Sequence, residues 1–498
     1  MNEIAIPILL PPITAVFLVA LFRFPAIKKT ISLLGMITYF ASTLWMLHIY
    51  LDQGVISTQM GNWPAPFGIT LLLDGTAAAM LVAGGIIGVL VHILSLAEID
   101  RKLNHVGYFP LLHMLLFGFS GAVLTGDLFN LYVWFEVLLV SSFGLLMAGG
   151  KREQLIGGVQ YITVNLLSTA LLLGSIGMIY GKTGTLNIGH LASIYRETPN
   201  DGVLNILLIV LLFSLSIKSA LFPLFFWLPA SYHTPPVPVS ALFSALLTKI
   251  GIYSMFRLTL AFAPNEPVIK TLFLISACFT MFVGVLGAIS QNEMRKILSV
   301  HIISQIGYII LGLAISSKMA IAAALYYMFH NIVVKTNLFF IAGVTRFHHK
   351  TLELAKVGGE YKRSFFLSVL FLISAFSLAG FPPFSGFFAK FSIIRASFST
   401  SHYVAAFVAL LTGVFTALSM TKIFNEIYLK PCPQPETYTP RQMGAAKKIC
   451  YFFPILVLTC LTLVLGIFPA PFSEYFDRCY QELVNPVILP YLNSGGSL

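Results

Sequence analysis

Charge is what this chain has least of. Asp, Glu, Lys and Arg make up 10% of its 498 residues, too few to cover the surface of a soluble multidomain enzyme of that length. Cysteine carries no pattern either: Cys278, Cys432, Cys450, Cys460 and Cys479 are scattered, with no C-x-x-C pair and no histidine at ligand spacing. They read as packing residues, not as a metal site or a disulfide framework. The first apolar run, Ile4 to Phe22, lacks a basic leader and an A-x-A site, so it reads as a first membrane helix and not a cleaved signal. Gly181-Lys182-Thr183 lacks the upstream glycine of a phosphate loop, because position 176 is Ile176. No ATP site is expected. No apolar run holds a cluster of carboxylates, so no hard-cation site is visible.

Long hydrophobic runs are what the chain has instead. With 57% hydrophobic residues and a mean hydropathy of +0.87, it is an all-α polytopic membrane protein. Windows of about nineteen residues mark about fourteen spans, near 4–22, 31–51, 72–96, 108–125, 128–148, 156–180, 203–234, 239–260, 268–289, 297–316, 319–343, 364–399, 403–429 and 449–471. The intervening loops are short, the longest being 181–202, 344–363 and 430–448. No soluble catalytic domain fits between the spans.

The seventh and twelfth runs exceed the roughly twenty residues that a bilayer needs. Each has proline in its middle, Phe222-Pro223 in one and Phe381-Pro382-Pro383 in the other. Proline removes a backbone donor and clashes with the preceding turn, and bare backbone at membrane depth survives only against protein or a water-filled cavity. Both runs are therefore expected to be broken helices beside a pathway. They come five spans apart, each next to a lysine (Lys218 and Lys390), which suggests an internal repeat of spans 4–8 and 9–13, inverted because five is odd. This divides the chain into N-terminal helices (1–107), a first five-helix half-channel (108–262), a second (263–430), and a C-terminal loop, last helix and short tail (431–498).

Alternate loops differ in basic content. One side holds eighteen Lys and Arg, Arg101, Lys102 and Arg441 among them, and the other only six. Positive-inside bias puts both termini outside, and the net charge of +11 is then a matter of topology, with no nucleic-acid partner implied. Arg257 and Lys422 lie near span ends and are expected to snorkel.

Six ionisable groups sit deep in the runs. They are Glu136 in the fifth, Lys218 and Lys249 flanking the first break, His330 and Lys335 in the eleventh, and Lys390 beyond the second break. An ammonium at mid-membrane costs about 2.5–3.5 kcal/mol even on a lenient insertion scale, and normally faces protein or internal water on an ion path. The four besides Lys218 and Lys249 also have a plainer reading. Glu136 would serve as a structural hydrogen bonder, His330 as a satisfied core histidine, Lys335 as a partial snorkeller and Lys390 as a cap on its hinge. Five residues turn the helix by about 140° between His330 and Lys335, so the two should face different neighbours. Lysine suits a relay because its neutral form is accessible when buried, unlike that of arginine. A lateral chain Glu136, Lys218, Lys249, His330 or Lys335, Lys390 would carry protons between two half-channels. His233 and His301, near span ends or loops, are auxiliary candidates.

Three stretches carry a family resemblance. LPASYHTPPVPVSALFSALLTKIGIY resembles the region after the broken seventh helix in the antiporter-like subunits of Mrp cation/proton antiporters, respiratory complex I and membrane-bound hydrogenases. ISQNEMRKILSVHIISQIGY is similar to that family's loop leading into its tenth helix, and FSLAGFPPFSGFFAKF to its broken twelfth helix. The resemblance implies fourteen helices with two inverted five-helix bundles, Glu136 and Lys218 as an ion pair, Lys249 as the central lysine, His330 and Lys335 as the eleventh-helix relay, and Lys390 as the terminal lysine. Within the family, the D-type branch of Mrp antiporters is favoured. The chain ends soon after the last span, Lys390 stands where one complex I branch has glutamate, and HTPPVPVSALFSALLTKIGIYSMFRL is closer to the D-type members.

That branch implies Na⁺/H⁺ antiport, with K⁺ or Li⁺ as possible substitutes, in a bacterial plasma membrane. The partners implied are the other Mrp subunits, A, B, C, E, F and G, without which the chain is inactive; no cofactor and no enzymatic activity are implied. The competing expectations are a proton-pumping subunit of a complex I-type or hydrogenase assembly, a non-conducting scaffold, and a stand-alone exporter of lipids or drugs.

Overall fold

The computed structural model describes residues 2–21, 23–100, 103–104, 106–433 and 443–484. Arg101, Lys102, Arg441 and both chain ends, which enter the orientation argument, lie outside the described residues. In chain order the helices are α1 (Ile6–Ala20), α2 (Pro25–Gln53), α3 (Gly75–Glu98), α4 (Tyr108–Leu124), α5 (Leu128–Met147), α6 (Arg152–Thr183), α7 (Ile188–Glu197), α8 (Gly202–Lys218), α9 (Trp227–Ser231), α10 (Val237–Phe262), α11 (Pro267–Ile289), α12 (Met294–Ile315), α13 (Lys318–His349), α14 (Glu360–Arg363), α15 (Phe365–Ala379), α16 (Ser385–Ser399), α17 (Tyr403–Leu429), α18 (Ala445–Ile467) and α19 (Pro469–Val484). A small antiparallel pair, β1 (Ile56–Gln59) and β2 (Thr70–Leu73), joins α2 to α3.

Each of the fourteen apolar runs holds a helix. Among the described residues eleven helices are long and apolar enough to cross a membrane, while α4, α8 and α15 are shorter apolar helices. Several of the few acidic residues start helices. Asp74 Oδ1 accepts from Ala77 N at 2.7 Å, Asp127 Oδ1 from Asn130 N at 2.8 Å and Glu293 Oε2 from Lys296 N at 2.7 Å, each satisfying an otherwise orphaned first-turn donor.

Burial sorts the helices into a centre and a rim. The most apolar stretch of α12 is wholly buried and those of α10 and α13 are 94% buried, against 39% for α6, α11 and α17. A helix that is apolar all round must be covered all round, and these three form the axis. Rim helices turn side chains such as Val16, Phe17 and Val140 outward, as a lipid-facing belt requires.

Besides the single turn of α14, two helices fall where only loop or tail is expected. Asn187 caps α7, its Oδ1 accepting from His190 N at 3.2 Å, within the loop 181–202. Past the last apolar run, α19 folds back on the bundle. Its Glu482 accepts from Tyr50 Oη at 2.7 Å and from Gly75 N at 2.8 Å. Both helices are amphipathic, so a hydropathy window passes over them.

At the other end of the bundle, α13 is tied to the following loop by a buried carboxylate. Glu360 accepts from His348 Nδ1 at 2.6 Å and from His349 Nε2 at 2.8 Å. Burial alone would raise this carboxyl, but the two imidazole hydrogen bonds together outweigh it and hold its pKa below the usual range. A depressed carboxyl stabilises the fold above its unfolded pKa, and the contribution fades as pH falls through the folded value. Glu360→Gln should therefore destabilise the purified protein by about 1.5–3 kcal/mol at neutral pH. In melts run at descending pH, the gap from wild type should close below the ordinary carboxylate range.

Candidate functional site

The first break leaves Lys218 at the last position of α8. Ala220 then takes a left-handed conformation (φ 57°), and donors and acceptors freed by the break find partners in neighbouring segments. Phe222 N donates to Thr280 Oγ1 of α11 at 2.9 Å and Trp227 Nε1 donates to Ile217 O at 3.1 Å. The Lys218 ammonium lies over the Phe135 ring, 5.0 Å from its centroid, on the wall of a cavity of about 20 Å³ that Asn165, Trp227 and Tyr232 also line. That is room for about one water, and the buried Tyr232 Oη in its wall has no protein partner.

Glu136 is the neighbour of Phe135 on α5. Its charge acts on Lys218, yet the two form no ion pair among the described residues; the Phe135 ring, not the carboxylate, is what Lys218 meets directly. One Glu136 oxygen is buried without a partner while the residue as a whole is half-buried on the flank of the bundle.

Lys249 sits on α10 just after a π turn at Phe243–Leu247. Such turns widen a helix and expose a carbonyl, and they collect at functional positions. Here Lys249 Nζ donates to Ser244 O at 2.5 Å. Gly251, half a turn on, lets α10 close against the first break, since a Cβ there would lie 2.5 Å from Ser219 Oγ.

The eleventh run places its two groups on different neighbours. His330, fully buried, stacks on Tyr327 with centroids 5.2 Å apart and shares a 2.8 Å hydrogen bond through Nδ1 with Ser385 Oγ, the first residue of α16. Lys335, also fully buried, turns to α12 and donates to Leu298 O at 3.4 Å. The charges of both Lys249 and Lys390 act on it, so Lys335 joins the first half of the row to the second.

Lys390 reaches back across the second break. Its Nζ donates to Leu378 O at 2.8 Å and Ala379 O at 3.2 Å, the last carbonyls of α15, and lies 4.6 Å from the Tyr308 ring centroid. The hinge cap and the buried ammonium are one residue. Gly386 permits this closure: a Cβ there would stand 1.8 Å from Ser377 O and 3.1 Å from His330 Cε1. Gly386→Ala should cost about 1–3 kcal/mol by overpacking, read as a lowered melting temperature of the purified assembly.

Of the auxiliary histidines, His301 belongs to the interior after all. It is fully buried on α12, bonded through Nε2 to Ser419 Oγ at 2.9 Å, and the charges of Lys335 and Lys390 act on it. His233 does not join the row. It lies between α9 and α10 against Pro229 O at 2.8 Å; burial pushes its pKa down to about 4, helped by the charges of Lys296 and Arg295, so it is neutral at neutral pH. Gln305, Tyr308, Tyr327 and Ser385 complete the polar lining, and a search for charge passes over all of them because none carries any.

Arg257 does not snorkel. It is 6% exposed and donates to Asp74 Oδ2 at 2.5 Å. Lys422 caps α11 instead, donating to Ile289 O at 2.9 Å and Gln291 O at 2.8 Å. The row thus consists of Lys218, Lys249, Lys335 and Lys390, each on a backbone carbonyl or an aromatic face, with His330 and His301 beside the last two. Among the described residues none of the four pairs directly with an acid, so each can gain or lose a proton without orphaning a carboxylate.

The profile of the family described as NADH:quinone oxidoreductase/Mrp antiporter, TM, matches residues 125–416, which hold both breaks and the whole row. The chain belongs to that family. It is 40% identical over 488 residues to the D subunit of the Na⁺/H⁺ antiporter of Alkalihalophilus pseudofirmus, covering 98% of each chain. A chain of the Mrp complex from Dietzia sp. DQ12-45-1b superposes with a TM-score of 0.88 at 30% identity, 98% of each chain covered. A chain of respiratory complex I from Thermus thermophilus superposes at 0.82 with 19% identity, over 97% of this chain and 99% of that one, a likeness of fold.

Proposed function

We propose that this family member is the proton-translocating D-type subunit of a hetero-oligomeric Na⁺/H⁺ antiporter. Protons move along Glu136, Lys218, Lys249, Lys335 with His330, and Lys390 in exchange for a monovalent cation. The observation that carries the reading is the set of four buried lysines, none paired with an acid among the described residues, two of them held by carbonyls of a widened or broken helix. A scaffold gains nothing from four such groups, each costly to bury. No redox chemistry is assigned to the chain.

The partners are the other subunits of such an antiporter. Half-buried Glu136 lies on the flank of the bundle, where a neighbouring subunit would complete the row. The basic face is placed in the cytoplasm and both termini outside by positive-inside bias, in a bacterial plasma membrane. The five-helix units 108–262 and 263–430 are taken as inverted repeats, a reading supported by their matched breaks. Each charge crossing is worth about 2.3 kcal/mol per 100 mV, so the membrane potential drives the exchange with the proton gradient.

The test is Na⁺-dependent dissipation of a ΔpH in everted vesicles that carry the complete set of subunits, with and without Lys249→Ala in this chain. Loss of antiport from an assembled complex supports the proton path. Full antiport by the assembled variant removes it and leaves the chain a scaffold.

A further inference from the structure

The row leaves α2, α3 and α4 without a task, yet they enclose titratable groups of their own. His92 of α3 and His113 of α4 are both fully buried. Ser32 of α2, equally buried, stands between them, its Oγ 3.2 Å from His92 Nδ1 and 3.1 Å from His113 Nε2. The remaining ring nitrogens, His92 Nε2 and His113 Nδ1, are buried without a protein partner. A network built only for packing would satisfy them, because leaving such a group unpaired costs about 1–3 kcal/mol.

Polar groups lead to the trio from the basic face. Lys28 Nζ donates to Asn104 O at 3.1 Å, and Ser95 Oγ meets Tyr108 Oη at 2.7 Å; Lys29 acts on His92 through its backbone carbonyl and then by its charge, and Glu98 acts on Tyr108 by its charge. Lys28, Ser32 and Tyr39 share one face of α2. The Tyr39–Ser120 hydroxyl pair, 2.8 Å apart, continues that face about 10 Å deeper at 1.5 Å per residue. There Gly118 packs on Leu138 and Gly121 on the Trp134 ring, which puts Ser120 level with Glu136.

We propose that His92, Ser32 and His113 form a second proton-transfer element, distinct from the lysine row, that exchanges protons between the basic face and the Glu136 end of that row. The hydroxyl has one hydrogen to give and lone pairs to accept, so the chain has a direction. His92 Nε2 takes up a proton, Nδ1–H passes to Ser32 Oγ, the serine hydrogen passes to His113 Nε2, and Nδ1–H of His113 is released. One proton enters and one leaves; no other bond changes and no imidazolium has to persist in the apolar interior. The element rests on the proton-transport reading above.

The experiment uses the full complex in everted vesicles and reads the initial rate of Na⁺-dependent ΔpH dissipation per assembled complex. His113→Gln keeps a hydrogen bond to Ser32 but relays nothing, and Ser32→Ala removes the link. Both should lower the rate about 100-fold or more, the scale of a lost proton-transfer partner. Ser32→Thr, which keeps the hydroxyl, should restore it. A wild-type rate per complex in His113→Gln overturns the proposal, whether or not the amount of complex falls, since a fall in amount alone marks packing. Run beside these, Lys249→Ala separates the two readings: if it is silent while His113→Gln is active, only the histidine element fails, and if both are active, the proton-transport reading fails.

Discussion

Vesicles carrying Lys249→Ala in an otherwise complete assembly should show Na⁺-dependent ΔpH dissipation reduced about 100-fold or more, the loss expected when a positioned proton carrier is removed. In the proposed row Lys249 follows Lys218 and precedes Lys335, on which its charge acts. No other titratable group of α10 lies at that depth; the next, Tyr253 and Arg257, stand one and two turns toward the opposite end and are engaged by Val123 O and Asp74. The row is therefore cut, not detoured. Assembly should survive, because truncation leaves only Ser244 O without its partner, a loss of about 1–3 kcal/mol. Lys249→Arg is the sharper variant. It keeps the positive charge and the reach but does not deprotonate in a protein, so it should be as inactive as alanine. Near-wild-type antiport by assembled Lys249→Arg would mean that fixed charge at this position suffices and that no proton passes through it.

The breaks and the row are legible in the sequence because both violate the rules of a membrane interior. A Phe-Pro step in the middle of an overlong run and an ammonium far from either end have few cheap explanations, so Pro223, Pro382, Pro383 and all four lysines can be found from one chain. What stays hidden in sequence is their partners. Lys390 reads there as hinge cap or relay, and only three dimensions show that capping α15 is how the ammonium is held. His301 counts as near a span end along the chain, but α12 is covered on every side, so its position in sequence says nothing of its depth. Glu136 and Lys218 are expected to touch; the Phe135 ring takes the place of the carboxylate. A test for apolar runs passes over the amphipathic helices α7 and α19, and a search for fixed charge passes over His92 and His113. Asp74 and Arg257 lie 183 residues apart, and no local pattern joins them.

That pair carries the largest expected effect on stability. Asp74→Ala should lower the stability of the purified complex by about 3–5 kcal/mol, the usual penalty for leaving one buried member of an ion pair behind, out of a total that is commonly about 5–15 kcal/mol for a domain. The two side chains are 6% and 7% exposed, so water cannot screen the guanidinium once the carboxylate is gone. Asp74 also caps α3 through its other oxygen, a contribution of about 1 kcal/mol. Asp74→Asn separates the two: an amide oxygen still accepts from Ala77 N, while the charge is lost, so this variant should recover the cap and little else. Removing both charges in Asp74→Asn with Arg257→Gln should regain most of the deficit, because the net worth of a buried pair over neutral partners is small. Thermal melts of the four proteins decide it. If Asp74→Asn melts with the wild type, the carboxylate charge is not what holds Arg257. If instead the double variant melts well above Asp74→Asn, the junction of α3 with α10 depends on charge balance, and α19, anchored to the same turn through Glu482 and Gly75, should loosen and tighten with it.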